Sequence, residues 1–159
     1  MNERHAGAPG QVKEVTSLAN PLVKDIKALA QKKFRDQQNA FMAEGLKLVI
    51  DALDLGWQIR TLVFAKAGRG NAAVEKVAAR TVAAGGTVLE VSEKVLVAIT
   101  RRDNPQMVVG VFSQKFLALK DIRADNGDVW VALDRVRDPG NLGTVIRTGV
   151  LTLCGRCSG

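Results

Sequence analysis

A chain of 159 residues suits one domain, or one domain and part of another, and can bury roughly 68–70% of its unfolded surface. Apolar residues make up 47% and exclude global disorder, but only 4% are aromatic, so the core must come mainly from Val, Leu, Ile and Ala. A net charge of +7 makes a polyanion, nucleic acid first, the natural partner; a basic soluble protein with no such partner is the plain alternative.

No apolar run approaches the roughly 18 residues of a membrane span. Met1–Gly10 lacks the apolar stretch of a secretory signal. A flexible tail over residues 1–12 and a cytoplasmic location are expected.

Ser17 to Pro21 reads as a helix start, with Asn20 as cap and Pro21 at the first helical position. Leu22, Ile26, Leu29 and Ala30 recur at helical spacing and define an inner face. Lys24, Lys27, Lys32, Lys33 and Arg35 lie between or just beyond them. They form either a phosphate-contacting surface or a solvated charged face. A second helix is predicted over Phe41 to Leu55, with Phe41, Gly45, Leu48, Val49, Ala52 and Leu53 as its buried stripe and Gly56 as its stop.

Ile59 to Ala65 reads as a strand, and Gly68-Arg69-Gly70 as a turn rather than a phosphate cradle. Val74, Val77, Ala78, Thr81 and Val82 mark a third helix, ended by Gly85-Gly86. Thr87 to Val91 is a further strand. Ser92 is placed to cap a short helix to Ile99, with Glu93 in its first turn. The polar loop Thr100 to Pro105 carries Arg101 and Arg102, and a valine-rich strand, Gln106 to Phe112, follows. Strands alternating with helices indicate an α/β layer domain. Leu117 to Asp128 mixes charges with Asn126-Gly127, a linker signal that puts a domain boundary between Lys115 and Asp128.

Val129 to Leu133 is apolar on both faces, as in a parallel strand covered by helices. Pro139 and Gly140 then turn the chain. Asn141 can cap a helix beginning near Leu142, or hold the loop against a ligand. Arg147 falls two turns into that helix, where its planar fork could clamp a phosphate or simply face solvent. Cys154 and Cys157 are spaced C-x-x-C, and the only histidine is His5. A zinc site needs about four ligands, so the pair is read as incidental and no metal is expected.

The string Asp138-Pro139-Gly140-Asn141-Leu142-Gly143-Thr144, followed by Ile146-Arg147-Thr148, resembles the first conserved motif of the SpoU (TrmH-like) RNA ribose 2′-O-methyltransferases of the SPOUT superfamily. Phe41 to Val49 is similar to a helix of that family's small substrate-binding domain, and so is Asn104-Pro105-Gln106 leading into a valine strand. The resemblance runs roughly from Val15 to Thr148. It implies an α/β protein: a three-layer α/β/α RNA substrate-binding domain over 13–115, a linker over 116–127, and over 128–159 the first strand-loop-helix of an incomplete knotted methyltransferase domain.

The implied reaction is methyl transfer from S-adenosylmethionine to a ribose 2′-hydroxyl, in ribosomal rather than transfer RNA. Arg147 and Asn141 fall on the family's catalytic positions. Arginine is effectively always charged and makes a poor base, so Arg147 is expected to stabilise the developing alkoxide and the neighbouring phosphate. Lys24, Lys27, Lys32, Lys33, Arg35, Arg101, Arg102 and Arg137 are the expected RNA contacts. The family's later motifs build the methyl-donor knot, and its full-length members form homodimers. This chain is therefore expected to be a truncated, inactive form that retains RNA binding and takes up no S-adenosylmethionine. The alternative is a non-enzymatic RNA-binding module.

Overall fold

Five strands and five helices alternate through the first part of the chain: β1 (Gln11–Val15), α1 (Pro21–Ala28), α2 (Lys32–Gln38), β2 (Ala40–Glu44), α3 (Leu46–Asp54), β3 (Ile59–Ala65), α4 (Ala72–Ala83), β4 (Thr87–Val91), α5 (Glu93–Thr100) and β5 (Val108–Ser113). A computed structural model supplies these elements and describes residues 10–116, 118–121, 131 and 133–154. The chain divides into two compact units, Met1–Phe116 and Leu117–Gly159.

The strands of the first unit form one sheet in the order β1-β4-β3-β5-β2. β1, β4 and β3 run parallel, whereas β5 is antiparallel to β3 and to β2. Side chains alternate across the strands and feed two cores. On one face Val63, Leu89, Val91 and Val111 pack with Val23 and Ile26 of α1 and Val95, Leu96 and Ile99 of α5. On the other face Leu62, Phe64, Val88 and Phe112 pack with Val49 of α3 and Val74 and Val77 of α4. The first unit is thus the three-layer α/β/α domain that the resemblance implies.

Local chemistry fixes most element ends. Asn20 Oδ1 accepts the Leu22 N–H at 2.9 Å, and Pro21 opens α1 as expected. Asn71 does the same for α4, accepting from Ala73 and Val74. β3 and β4 have the predicted bounds, and Gly56 follows α3 at a φ of 75°. Opposite β5, the register of β3 slips between Ile59 and Thr61. The displaced Arg60 reaches Ser113 Oγ at 2.7 Å and the carbonyls of Gln38 and Asn39 at 2.7 and 3.1 Å, tying the end of α2 to the end of β5.

Several expectations are corrected. The helix predicted over Phe41 to Leu55 begins only at Leu46, because Phe41–Glu44 pair with Phe112–Val109 as a strand. Gly45 separates the two at a φ of 112°, outside the helical range, and its N–H donates to Val108 O at 2.8 Å. Leu48, placed on the buried stripe, is 56% exposed. The core position of α1 that the stripe omitted is Val23, fully buried, whereas Ala30 is exposed. Lys32, Lys33 and Arg35 form their own helix, α2. Ser92 precedes α5 without a side-chain capping bond. Gln11 and Val12, assigned to a tail, belong to β1; residues 1–9 lie outside the described residues. Gly10 passes so close to the α4–β4 turn that a Cβ there would meet Val82 O at 2.5 Å.

The second unit contains a short 3₁₀ turn, Leu119–Asp121, and α6 (Pro139–Cys154). Most of the expected linker and of the strand Val129 to Leu133 lies outside the described residues, as does Cys157. Among the described residues no helix is long and apolar enough to cross a membrane, and no cluster of His, Cys, Asp and Glu could hold a metal ion.

Candidate functional site

The parallel strands all finish at one end of the sheet, with Val15, Val91 and Ala65 in register. β5 starts there and β2 ends there, since Phe64 pairs with Val108 and Glu44 with Val109. Loops leaving this end bring up Lys66, Arg69, Arg101 and Arg102.

Carboxylates hold three of these four cations. Glu14 and Glu90 are direct cross-strand neighbours in β1 and β4, a repulsive arrangement by itself. Lys66 pairs with Glu14, and Arg69 Nη2 stands 2.8 Å from Glu90 Oε1. The Lys66 hydrogen bond, then its charge, holds the Glu14 carboxyl below its ordinary range. Glu90 is nearly buried, and its Oε1 has no partner in hydrogen-bonding geometry among the described residues, so its contact with Arg69 is Coulombic.

The third pair is different. Glu44 Oε2 lies 3.1 Å from Arg102 Nε, while Glu44 Oε1 accepts the Gln106 N–H at 3.1 Å. One carboxylate therefore ties both ends of the loop between α5 and β5 to the end of β2. Arg101 stands beside Arg102 in a left-handed conformation, at a φ of 57°, exposed and with no ion pair among the described residues.

The other basic candidates sit elsewhere. α2 leads into Ala40, which pairs with Ser113, and Ser113 N–H donates to Gln58 O at the start of β3. α2, with Lys32, Lys33 and Arg35, thus leads into the opposite end of the sheet, which a seven-residue strand of about 20 Å separates from the first. Arg35 is turned inward, its Nη1 donating to Leu29 O and Ala30 O at 3.0 Å each, which caps α1. Lys24 and Lys27 lie on α1; Lys24 is exposed and Lys27 half-buried.

In the second unit α6 starts at Pro139, not near Leu142. Its cap is Asp138: Oδ1 accepts the Asn141 N–H at 2.9 Å and the backbone oxygen accepts from Leu142 at 3.2 Å. Asn141 is the third residue of the helix, so the capping role read for it passes to Asp138. Its side chain is exposed and has no hydrogen-bond partner among the described residues. Arg147 Nη2 contacts Thr144 Oγ1 at 3.3 Å, and Thr144 Oγ1 donates to Gly140 O at 3.0 Å. Arg137 is exposed. From Pro139 to Thr148 the side chains are exposed, and only Gly143 is half-buried.

Residues 20–110 match the family described as the MRM3-like substrate binding domain. The chain belongs to that family. Its MRM3-like substrate binding domain contains both the Glu44–Arg102 pair and the lysines of α1 and α2; Arg137, Asn141 and Arg147 fall outside the matched region. The chain is 31% identical, over 137 residues, to the 23S rRNA (guanosine(2553)-2′-O)-methyltransferase RlmP of Bacillus subtilis, covering 86% of this chain and 50% of that protein. It is 68% identical to an rRNA methyltransferase from Sinorhizobium meliloti, whose crystal structure matches with a TM-score of 0.78 over 87% of this chain and 51% of that one. The AdoMet-bound structure of the Sinorhizobium meliloti protein matches with a TM-score of 0.76 over 86% and 50%, at the same identity. The chain spans about half the length of the curated relatives it matches. These relatives bear out the SpoU-type resemblance and the α/β fold class.

Residue-type reading missed Glu44 and Asp138. Asp138 was findable, since an acid directly before Pro at a helix start is a capping signal. Glu44 carried no local signal, because its partners lie far along the sequence.

Proposed function

We propose that this chain carries the RNA-holding part of a ribosomal RNA ribose 2′-O-methyltransferase acting in the cytoplasm with S-adenosylmethionine. The first unit grips RNA through its basic surface, and α6 contributes Asn141 and Arg147. The observation that carries this reading is the match of residues 20–110 to a substrate binding domain. The net charge of +7 supports it, since neutralising phosphates and releasing their counterions drives such binding.

Arg147 acts toward the RNA. Its guanidinium stays charged at any working pH and so does not take the hydroxyl proton. It stabilises negative charge growing on the ribose oxygen and holds the adjacent phosphate. S-adenosylmethionine supplies the methyl carbon when bound; the 159 residues, about half the length of the relatives, are expected to hold RNA without taking up the donor by themselves. The open surroundings of Arg147 favour a second reading, a non-enzymatic RNA-binding module.

Calorimetry with S-adenosylmethionine and fluorescence anisotropy with a labelled ribosomal RNA fragment test the proposal on the 159-residue chain. RNA affinity that falls steeply with salt, with no heat from the donor, is the expected pair of results. Tight donor uptake would show that these residues bind S-adenosylmethionine by themselves and overturn that part of the proposal. Absence of RNA binding at low salt would remove the RNA reading itself.

A further inference from the structure

Arg102 faces two ways. Glu44 holds its Nε, yet the side chain remains 66% exposed, and its two terminal nitrogens have no partner among the described residues. Its charge pairs with Glu44 on the Nε side, which leaves the two terminal nitrogens for bidentate capture of a phosphate. Arg101 stands next to it, exposed and with no side-chain hydrogen bond or ion pair among the described residues. Its left-handed backbone closes α5, with its N–H donating to Val97 O at 2.8 Å, and turns the loop toward Arg102.

Arg102 also borders a groove of about 490 Å³ along β2, with Glu44. Met42, Ala43 and Leu48 give it an apolar lining, and Leu48 is the residue whose exposure contradicted its helical stripe. β2 is the edge of the sheet. Gly45 N–H donates inward to Val108, so by alternation Met42 and Glu44 turn their backbone N–H and C=O groups outward along the groove. The groove therefore combines apolar walls, backbone donors and acceptors turned away from the sheet, and a cationic rim. A flat apolar ring with polar edges, tethered to a phosphate, fits that combination.

Resting on the reading that the first unit binds RNA, we propose that Arg101 and Arg102 clamp a phosphate of an unpaired RNA nucleotide whose base enters the groove between Met42 and Leu48, with Glu44 as the positioning residue for Arg102. Unpaired nucleotides are the part of RNA whose bases can leave the stack to be read, whereas a continuous duplex offers its bases only edge-on. Glu44 acts through Arg102, and it shapes the loop by holding Gln106.

The test is fluorescence anisotropy of the full chain with two probes of equal length: a labelled RNA stem-loop with an unpaired loop, and a blunt RNA duplex. The stem-loop should bind several-fold more tightly. Arg102→Ala should weaken stem-loop binding roughly five- to tenfold and lower the slope of log affinity against log salt by about 0.7, the value of one phosphate on a single strand. Leu48→Asp should weaken the stem-loop and leave the duplex within about twofold. Glu44→Gln keeps an acceptor for Gln106 and removes the charge that pairs with Arg102; it should cost several-fold in the parent and nothing further in the Arg102→Ala background. Tighter binding by Glu44→Gln in both backgrounds would show a bare charge effect and overturn its positioning role. Equal affinity of the parent for both probes would overturn the groove. Loss of binding on Lys32→Ala with Lys33→Ala, with Arg102→Ala unaffected, would overturn the clamp and leave RNA binding intact. No binding of either probe by the unaltered chain would overturn the RNA reading on which the clamp rests.

Discussion

Arg147 lies back along α6 over Gly143: a Cβ at position 143 would stand 3.2 Å from Arg147 Nη1. Residues three and four apart share a helix face, and long side chains lean toward the N-terminus. Gly143 leaves room for the guanidinium, and Thr144 receives its other terminal nitrogen at 3.3 Å.

Gly143→Ala separates helix propensity from this packing. Alanine favours a helix over glycine by about 1 kcal/mol, so α6 should lose no helicity by circular dichroism. The added methyl should still displace the guanidinium, moving the Arg147 Nε–Hε resonance in nitrogen-edited NMR spectra. Thr144→Val should move it as well. Resonances that stay in place in both variants would show that neither residue holds the arginine.

Asn20→Ala removes the acceptor for the Leu22 N–H while leaving Pro21 to start α1. The expected loss is about 1 kcal/mol in chemical denaturation followed by Trp57 fluorescence, with Asn20→Asp nearly neutral. A loss well under half of that would mean that the cap contributes little beyond the packing of Val23 and Ile26.

Gly110 is required by shape. A Cβ there would fall 2.5 Å from Phe112 Cε2 and 3.0 Å from Val49 Cγ2, and Phe41 stacks on the Phe112 ring at 5.9 Å between centroids. The ring has little room to yield. Gly110→Ala should destabilise the first unit by about 2 kcal/mol, the usual scale of overpacking. An unchanged denaturation midpoint would contradict the tight seating of Phe112.

Glu14 gives the first unit a dependence on acid. Its carboxyl is held below its ordinary value of 4.5, first by the Lys66 hydrogen bond and then by the Lys66 charge. A depressed folded-state pKa stabilises the fold above the unfolded-state value, and that contribution is lost as pH falls through the folded-state value. The stability gap between the parent and Glu14→Gln should therefore be largest near neutrality and close as the pH falls below the ordinary glutamate range. A gap that widens on acidification would reverse the sign and refute the pairing.

How legible each element was depended on where its partners lie. β3 and β4 announced themselves as short apolar runs between turn residues, and α1 and α4 by their caps and apolar spacing. β1 gave no such signal: Gln11 to Glu14 are all exposed, and the strand exists because its backbone pairs with β4. β2 was read as helix because Phe41 to Leu53 is apolar at intervals that suit either period. Its choice is made by β5, nearly seventy residues on in sequence, and by the positive φ of Gly45. The site divides in the same way. Arg101 and Arg102 were visible as a basic pair in a polar loop, and the motif helix with Arg147 as a string. Glu44 was not, since its contact with Gln106 spans 62 residues. Nor could the sequence show that α2, with its lysines, leads into one end of the sheet while the arginines after α5 stand at the other.

Ultraviolet cross-linking of the 159-residue chain to a ribosomal RNA fragment, with the linked peptides read by mass spectrometry, tests most directly whether the substrate binding domain holds RNA. Cross-links within residues 20–110, concentrated around Leu48 and Arg101 to Gln106, are the predicted result. Cross-links confined to positions outside 20–110, or none at low salt, would contradict it.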